Sequence, residues 1–178
     1  AARWGRRALT FPAYGLLFAG GLALCPLLFA LALTIDLVTH SRLARVRTLA
    51  MALCYLACEL LGLLGAGLLW LRGGDHEAAL DRNFRLQAWW AGTLFAAARR
   101  LFALDVEVDG AALCTPGPVV ILIRHASVAD TLLPVALLSR PFGLRLRYVL
   151  KRELLWVPCL DVVGNRLPNA FVRRGSDD

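Results

Sequence analysis

The feature that most constrains this chain is a pair of long apolar runs near its start. From Ala8 to Ile35 there is no charged residue, and from Thr48 to Leu71 only Glu59 interrupts the pattern. At about 1.5 Å per residue, either run is long enough as a helix to cross a hydrocarbon core of about 30 Å. The first run is longer than the roughly 7–15 residues of a signal-peptide core. Leu, Ala and Gly surround the second on all sides, so it lacks the one-sided stripe of a soluble surface helix. The hydrophobic share of 58% lies above the usual range of about 45–50%, and the mean hydropathy is +0.61. Residues 1–75 are therefore expected to form a two-helix membrane hairpin, with helices near 8–35 and 48–71. A spanning hairpin and a pair dipping into one leaflet both satisfy the pattern. Pro12 and Pro26 predict a kink or a re-entrant path in the first helix.

The net charge of +7 comes almost entirely from arginine, since Lys151 is the only lysine. A basic, apolar chain suits an anionic membrane face. Aromatic–basic stacking platforms for bases are not evident, so nucleic acid is not an expected partner. A hairpin puts the N-terminus and everything after Arg72 on one side. That side carries Arg82, Arg85, Arg99 and Arg100, which assigns it to the cytoplasm. The five cysteines are scattered without a CxxC spacing, so neither a disulfide framework nor a zinc site is expected. Glu59 is costly if it faces lipid. It reads as a proton or ligand site, as a protonated or paired carboxyl facing the first helix, or as an acid reaching the interface from a shallow helix.

Residues 76–103 read as an amphipathic helix in which Trp89 and Trp90 stand among arginines. An interfacial helix and plain packing on the following domain both account for it. From residue 104 the pattern changes. Leu104–Val108 alternates as a half-exposed strand, and Val119–Ile123 is a continuous apolar run suited to an interior strand. A helix from about Ser127 to Leu138 leads through a turn at Arg140–Gly143 to Leu144–Leu150, a second alternating strand, and Ala170–Arg173 starts another. Strand, helix, strand in this order predicts an α/β domain over residues 104–178.

His125 and Asp130 stand at the end of the apolar run, where open α/β sheets usually place ligand groups. On a regular helix, residues five apart face away from one another. The pair can meet only if His125 lies in the turn and Asp130 in the first helical turn. A carboxylate on one ring nitrogen would then leave the other basic enough to take a proton from an alcohol. Ser127-x-x-Asp130 is equally a capping-box-like pattern, in which Asp130 caps a helix and His125 is an ordinary turn residue. Pro134 favours a helix beginning near Asp130 over one beginning at Ser127.

His125-(four residues)-Asp130 after a predicted strand resembles the HX4D motif of the glycerolipid acyltransferases, the lysophosphatidic-acid acyltransferase family. Lys151-Arg-Glu-Leu-Leu-Trp-Val-Pro158 resembles that family's Lys-x-x-Leu-x-x-x-Pro block, and Phe171-Val-Arg-Arg174 its Phe-Ile-x-Arg block. A two-helix membrane segment before the catalytic domain recurs in bacterial members. The likeness covers about Leu104 to Arg174. Arg124 stands where members more often carry Asn, and the family's Glu-Gly-Thr block has no counterpart here. The resemblance is thus to the N-terminal portion of an α/β acyltransferase domain, and a truncated chain is the expectation. It implies acyl transfer from acyl-CoA or acyl-carrier protein to a hydroxyl of 1-acyl-glycerol-3-phosphate or a related lysolipid. His125 would be the general base and Asp130 its orienting partner. Arg174 would grip the acceptor phosphate, with Arg173 and Lys151 as further phosphate contacts. No metal and no cofactor beyond the acyl donor is implied. The expected setting is a membrane, the bacterial inner membrane, with the catalytic part in the cytoplasm. The competing expectation is an inactive or truncated acyltransferase-like membrane protein that acts as a lipid-binding or interaction module.

Overall fold

The computed structural model of the chain describes residues 2–115, 118–124 and 128–173. Four long helices come first: α1 (Ala2–Ala23), α2 (Cys25–Val38), α3 (Ala44–Leu71) and α4 (His76–Phe102). Short 3-10 and π turns follow, with two three-residue strands, β1 (Val149–Lys151) and β2 (Ala170–Val172).

The first apolar run is not one rod. Its helix breaks at Leu24, and α1 and α2 are bent by 68° from one another. Pro26 sits in the first turn of α2, where a missing N–H does no harm but where the older helix cannot continue through it. Pro12 lies inside α1. Among the described residues α3 is the one helix long and apolar enough by itself to cross a membrane, and only 22% of its apolar window is buried. A core helix of a soluble protein would be mostly covered, whereas Leu61, Leu64 and Leu68 on α3 are each more than half exposed.

The turn between α2 and α3 is tied by a single buried carboxylate. His40, Arg42 and Leu43 all have positive φ, a conformation that costs non-glycine residues energy unless their surroundings enforce it. Asp36 supplies that enforcement. It accepts from the Ser41 hydroxyl, from the Arg45 guanidinium at 3.1 Å, and from the Arg45 and Val46 N–H groups at 3.2 and 3.0 Å. Its carboxylate therefore caps α3 from the end of the preceding helix, because Leu43 at the N-cap position has no side-chain acceptor.

Gly73 and Gly74, both at positive φ, turn the chain from α3 into α4, and Asp75 caps α4 by accepting the Ala78 N–H at 2.7 Å. Ala91, Leu94, Phe95 and Ala98 recur at helical spacing on the buried face of α4. Ala91, Leu94 and Phe95 meet Cys58 of α3 and the later residues Leu132 and Val135 in one core cluster. A second cluster joins Ala66 of α3 to Cys159, Val163 and Leu167. Trp90 packs against both clusters, while its neighbour Trp89 is partly open.

The expected α/β architecture is not what forms. The structure is 72% helical, and its only sheet among the described residues is the two-stranded parallel pair β1–β2. Leu104–Val108 and Val119–Ile123 are not paired as strands, and Val120 and Leu122 are about nine-tenths exposed. Alternation and apolar runs describe a side-chain pattern, but a strand exists only where a neighbour completes its ladder. The segment expected as a regular helix is a 3-10 turn, Val128–Thr131, followed by a π turn, Val135–Ser139. Arg140 N–H donates to Val135 O, five residues back. Pro141 comes next, with no N–H for the following rung and a ring that crowds the carbonyl four residues earlier, and the helix widens there.

Gly62 of α3 lies in tight contact with the C-terminal segment. A Cβ at that position would stand 2.6 Å from Cys159 Sγ. Gly62→Ala is expected to destabilise the fold by about 1–3 kcal/mol through overpacking. Adding Cys159→Ala should recover part of the loss, because the sulfur is the atom in the way. Thermal unfolding followed by circular dichroism in detergent checks this, and strictly additive losses would show that the two residues do not compete for one space.

Candidate active site

The parallel register of β1 and β2 decides what the chain brings together after residue 140. Val149, Leu150 and Lys151 pair with Ala170, Phe171 and Val172. Both strands end at the same edge, so Lys151 and Arg173, the residue after Val172, lie at that edge, and both are exposed. Asn169 sets the register. Its Oδ1 accepts the Tyr148 N–H at 2.9 Å and its Nδ2 donates to Gly164 O at 3.1 Å, while Ala170 N–H donates to Tyr148 O at 2.8 Å. The approach to β1 is pinned to α4 by Arg145, which pairs with Asp81 at 3.0 Å and lies over the Phe84 ring.

Asp130 is half-buried in the 3-10 turn Val128–Thr131. Leu132 and Val135, just beyond it, are anchored in the core cluster against which Leu146 and Tyr148 also pack. The turn carrying Asp130 and the strand carrying Lys151 thus share one hydrophobic support. His125, Ser127 and Arg174 lie outside the described residues.

Two buried acids bind the C-terminal segment to the helices. Glu59, fully buried on α3, accepts the Cys159 N–H at 2.9 Å through Oε2, and its Oε1 has no hydrogen-bond partner among the described residues. The C-terminal segment and Trp90 lie against this carboxyl. Asp161, 1% exposed, receives the Arg6 guanidinium on Oδ1 and the Arg7 Nε on Oδ2, while Arg7 Nη2 reaches the Asp161 carbonyl at 3.0 Å. Sequence reasoning missed this clamp. The available signal was a lone acid inside the apolar stretch Val157–Gly164.

Cys159 is the thiol nearest these groups. Burial pushes it up, and Glu59 and Cys58 push it further, so it is a thiol at neutral pH and a poor nucleophile. Burial likewise raises the Tyr148 phenol. What the exposed strand edge offers chemically is positive charge, suited to an anionic group.

Comparison with models of protein families, with curated proteins and with solved structures finds no match to this chain.

The two roles open to Glu59 separate by substitution. Glu59→Gln keeps an acceptor for the Cys159 N–H and is expected to leave the melting temperature close to wild type. Glu59→Leu leaves that buried donor unpaired and is expected to cost about 1–3 kcal/mol. Thermal melts of both variants in detergent check the order, and Gln as damaging as Leu would show that the acid itself is required.

Proposed function

We propose that this chain is a membrane-bound O-acyltransferase that moves a fatty acyl group from acyl-CoA or acyl-carrier protein to a lysolipid such as 1-acyl-glycerol-3-phosphate. The observation that carries the reading is the order of three motif blocks, His125–Asp130, Lys151–Pro158 and Phe171–Arg174, behind an apolar helical segment. The register of β1 with β2 supports it, since it brings Lys151 and Arg173, one basic residue from each of the last two blocks, to one edge.

In this mechanism His125 takes the proton of the acceptor hydroxyl while Asp130 orients the imidazole. The hydroxyl oxygen forms a bond to the thioester carbonyl, the carbon–sulfur bond breaks, and the departing thiolate takes a proton and leaves as free thiol. No enzyme nucleophile is needed, which agrees with the protonated state of Cys159. Arg174 grips the acceptor phosphate through two parallel hydrogen bonds, with Arg173 and Lys151 beside it. The membrane is the bacterial inner membrane and the transfer chemistry faces the cytoplasm. Support for a shared side comes from the clamp between Arg6, Arg7 and Asp161, which keeps the start of α1 with the C-terminal segment.

A second reading, a lipid-binding membrane module without catalysis, is favoured by one observation. The segment leading to His125 is exposed and unpaired, whereas a general base works from a fixed position.

Release of free thiol from acyl-CoA in the presence of lysophosphatidate decides between the two. The acyltransferase reading expects turnover that falls by about 10²–10⁴-fold in His125→Ala, and Arg174→Ala should raise the acceptor KM more than the donor KM. Equal turnover in wild type and His125→Ala would remove the general base, and acceptor binding without thiol release would favour the binding module.

A further inference from the structure

A cavity of about 380 Å³ lies between the end of α3 and the start of α4, away from the strand edge. Trp70, Gly73, His76, Arg82, Asn83 and Arg166 are among its walls. Two guanidinium groups facing one cavity call for a compensating anion, and among the described residues no carboxylate pairs with either. The nearby acids are engaged elsewhere: Asp75 caps α4 by accepting the Ala78 N–H, Glu77 lies 3.9 Å from Arg145, Asp81 pairs with Arg85 and Arg145, and Asp161 with Arg6 and Arg7. Among the described residues, Arg82 and Arg166 bind only backbone carbonyls. Arg82 Nη2 donates to Gly73 O, and Arg166 Nη1 to Ala66 O at 2.7 Å. Those bonds fix each guanidinium and leave further N–H groups to spare. Arg82 Nε is buried without a partner. Burial, and then the charge of Arg7, disfavour the charge on Arg166, so an anion beside it would relieve both.

The cavity also holds an orphan acceptor. Asn83 is 6% exposed; its Nδ2 donates to Ala79 O at 2.7 Å, and its Oδ1 has no partner among the described residues. Two planar cations beside an unused buried acceptor match an anion that carries its own donor, as a phosphate ester with a neighbouring hydroxyl does. The position names the source. Trp70 and Leu71 are 71% and 72% exposed at the end of the helix that is apolar enough to cross a membrane, and tryptophan favours the headgroup level. The volume suits a headgroup and leaves acyl chains to run along the exposed Leu64 and Leu68.

We propose that this cavity binds the phosphate headgroup of a glycerolipid, with Arg82 and Arg166 on the phosphate and Asn83 Oδ1 accepting from a headgroup donor. The site is independent of the transfer chemistry, since none of its residues belongs to the strand edge.

The test is native mass spectrometry of the full chain, released from a neutral detergent and titrated with dihexanoyl phosphatidate, glycerol 3-phosphate or inorganic phosphate. Phosphatidate should bind, and the two soluble phosphates should bind far more weakly. Arg82→Gln and Arg166→Gln should each weaken phosphatidate by about tenfold, the loss of one charge-assisted donor group. His76→Glu supplies a variant that need not disturb folding, because His76 is exposed and an acid suits the first turn of α4. It should weaken binding with no fall in melting temperature, while Arg100→Gln, on an exposed residue at the other end of α4, should bind like wild type. Three results would overturn the proposal: wild-type affinity in both Arg82→Gln and His76→Glu, a loss that follows Lys151→Gln instead, or equal binding of phosphatidate and glycerol 3-phosphate.

Discussion

Asp161 holds the two ends of this chain together. Its carboxylate is buried, and burying a charge is tolerable only when it is paired and hydrogen-bonded. Arg6 and Arg7 meet both conditions from the first turns of α1, and Arg7 adds a bond to the Asp161 carbonyl. The link crosses more than 150 residues. Without it, α1 would keep its packing on α3 but would lose its tie to the C-terminal segment. The pair is best regarded as a device for holding that arrangement, since such pairs specify geometry more dependably than they add stability.

Around that tie, α3 serves as a common wall. One face is left open with exposed leucines, while the other is covered by α4 and the C-terminal segment. Gly62 and Glu59 make the cover possible in different ways. The glycine removes a side chain so that Cys159 can approach, and the glutamate supplies an acceptor for the backbone N–H that the approach buries. A substitution at either position therefore acts on the docking of the segment and not on the helix itself.

The helices were legible because their signals are local. The apolar runs and the amphipathic pattern of residues 76–103 each depend on neighbours close in sequence, and Pro26 marked the break that became the 68° bend. The α/β reading failed because strand pairing is not local. Val119–Ile123 has the composition of an interior strand, yet no neighbour completes its ladder among the described residues, and only three pairs of residues form the sheet. Of the candidate site, Lys151 and Arg173 were named from motifs, but their shared edge depends on Asn169, whose role no sequence pattern announced. Contacts such as Arg6–Asp161 and Glu59–Cys159, 155 and 100 positions apart, are set by packing and leave no periodicity to read.

The distribution of arginine shows why composition alone could not assign partners. Arg6, Arg7, Arg45, Arg85 and Arg145 are all used internally, each paired with an acid. These pairs engage five cations with only three acids, Asp36, Asp81 and Asp161, so those acids are no longer available to other arginines. The net charge of +7 is therefore not spread evenly over the surface. Arg82 and Arg166 keep their charge without a carboxylate because the acids within reach are already engaged, and their backbone bonds hold the guanidinium groups in place before any ligand arrives. Preorganised cations of this kind bind an anion with less reorganisation than mobile surface arginines would.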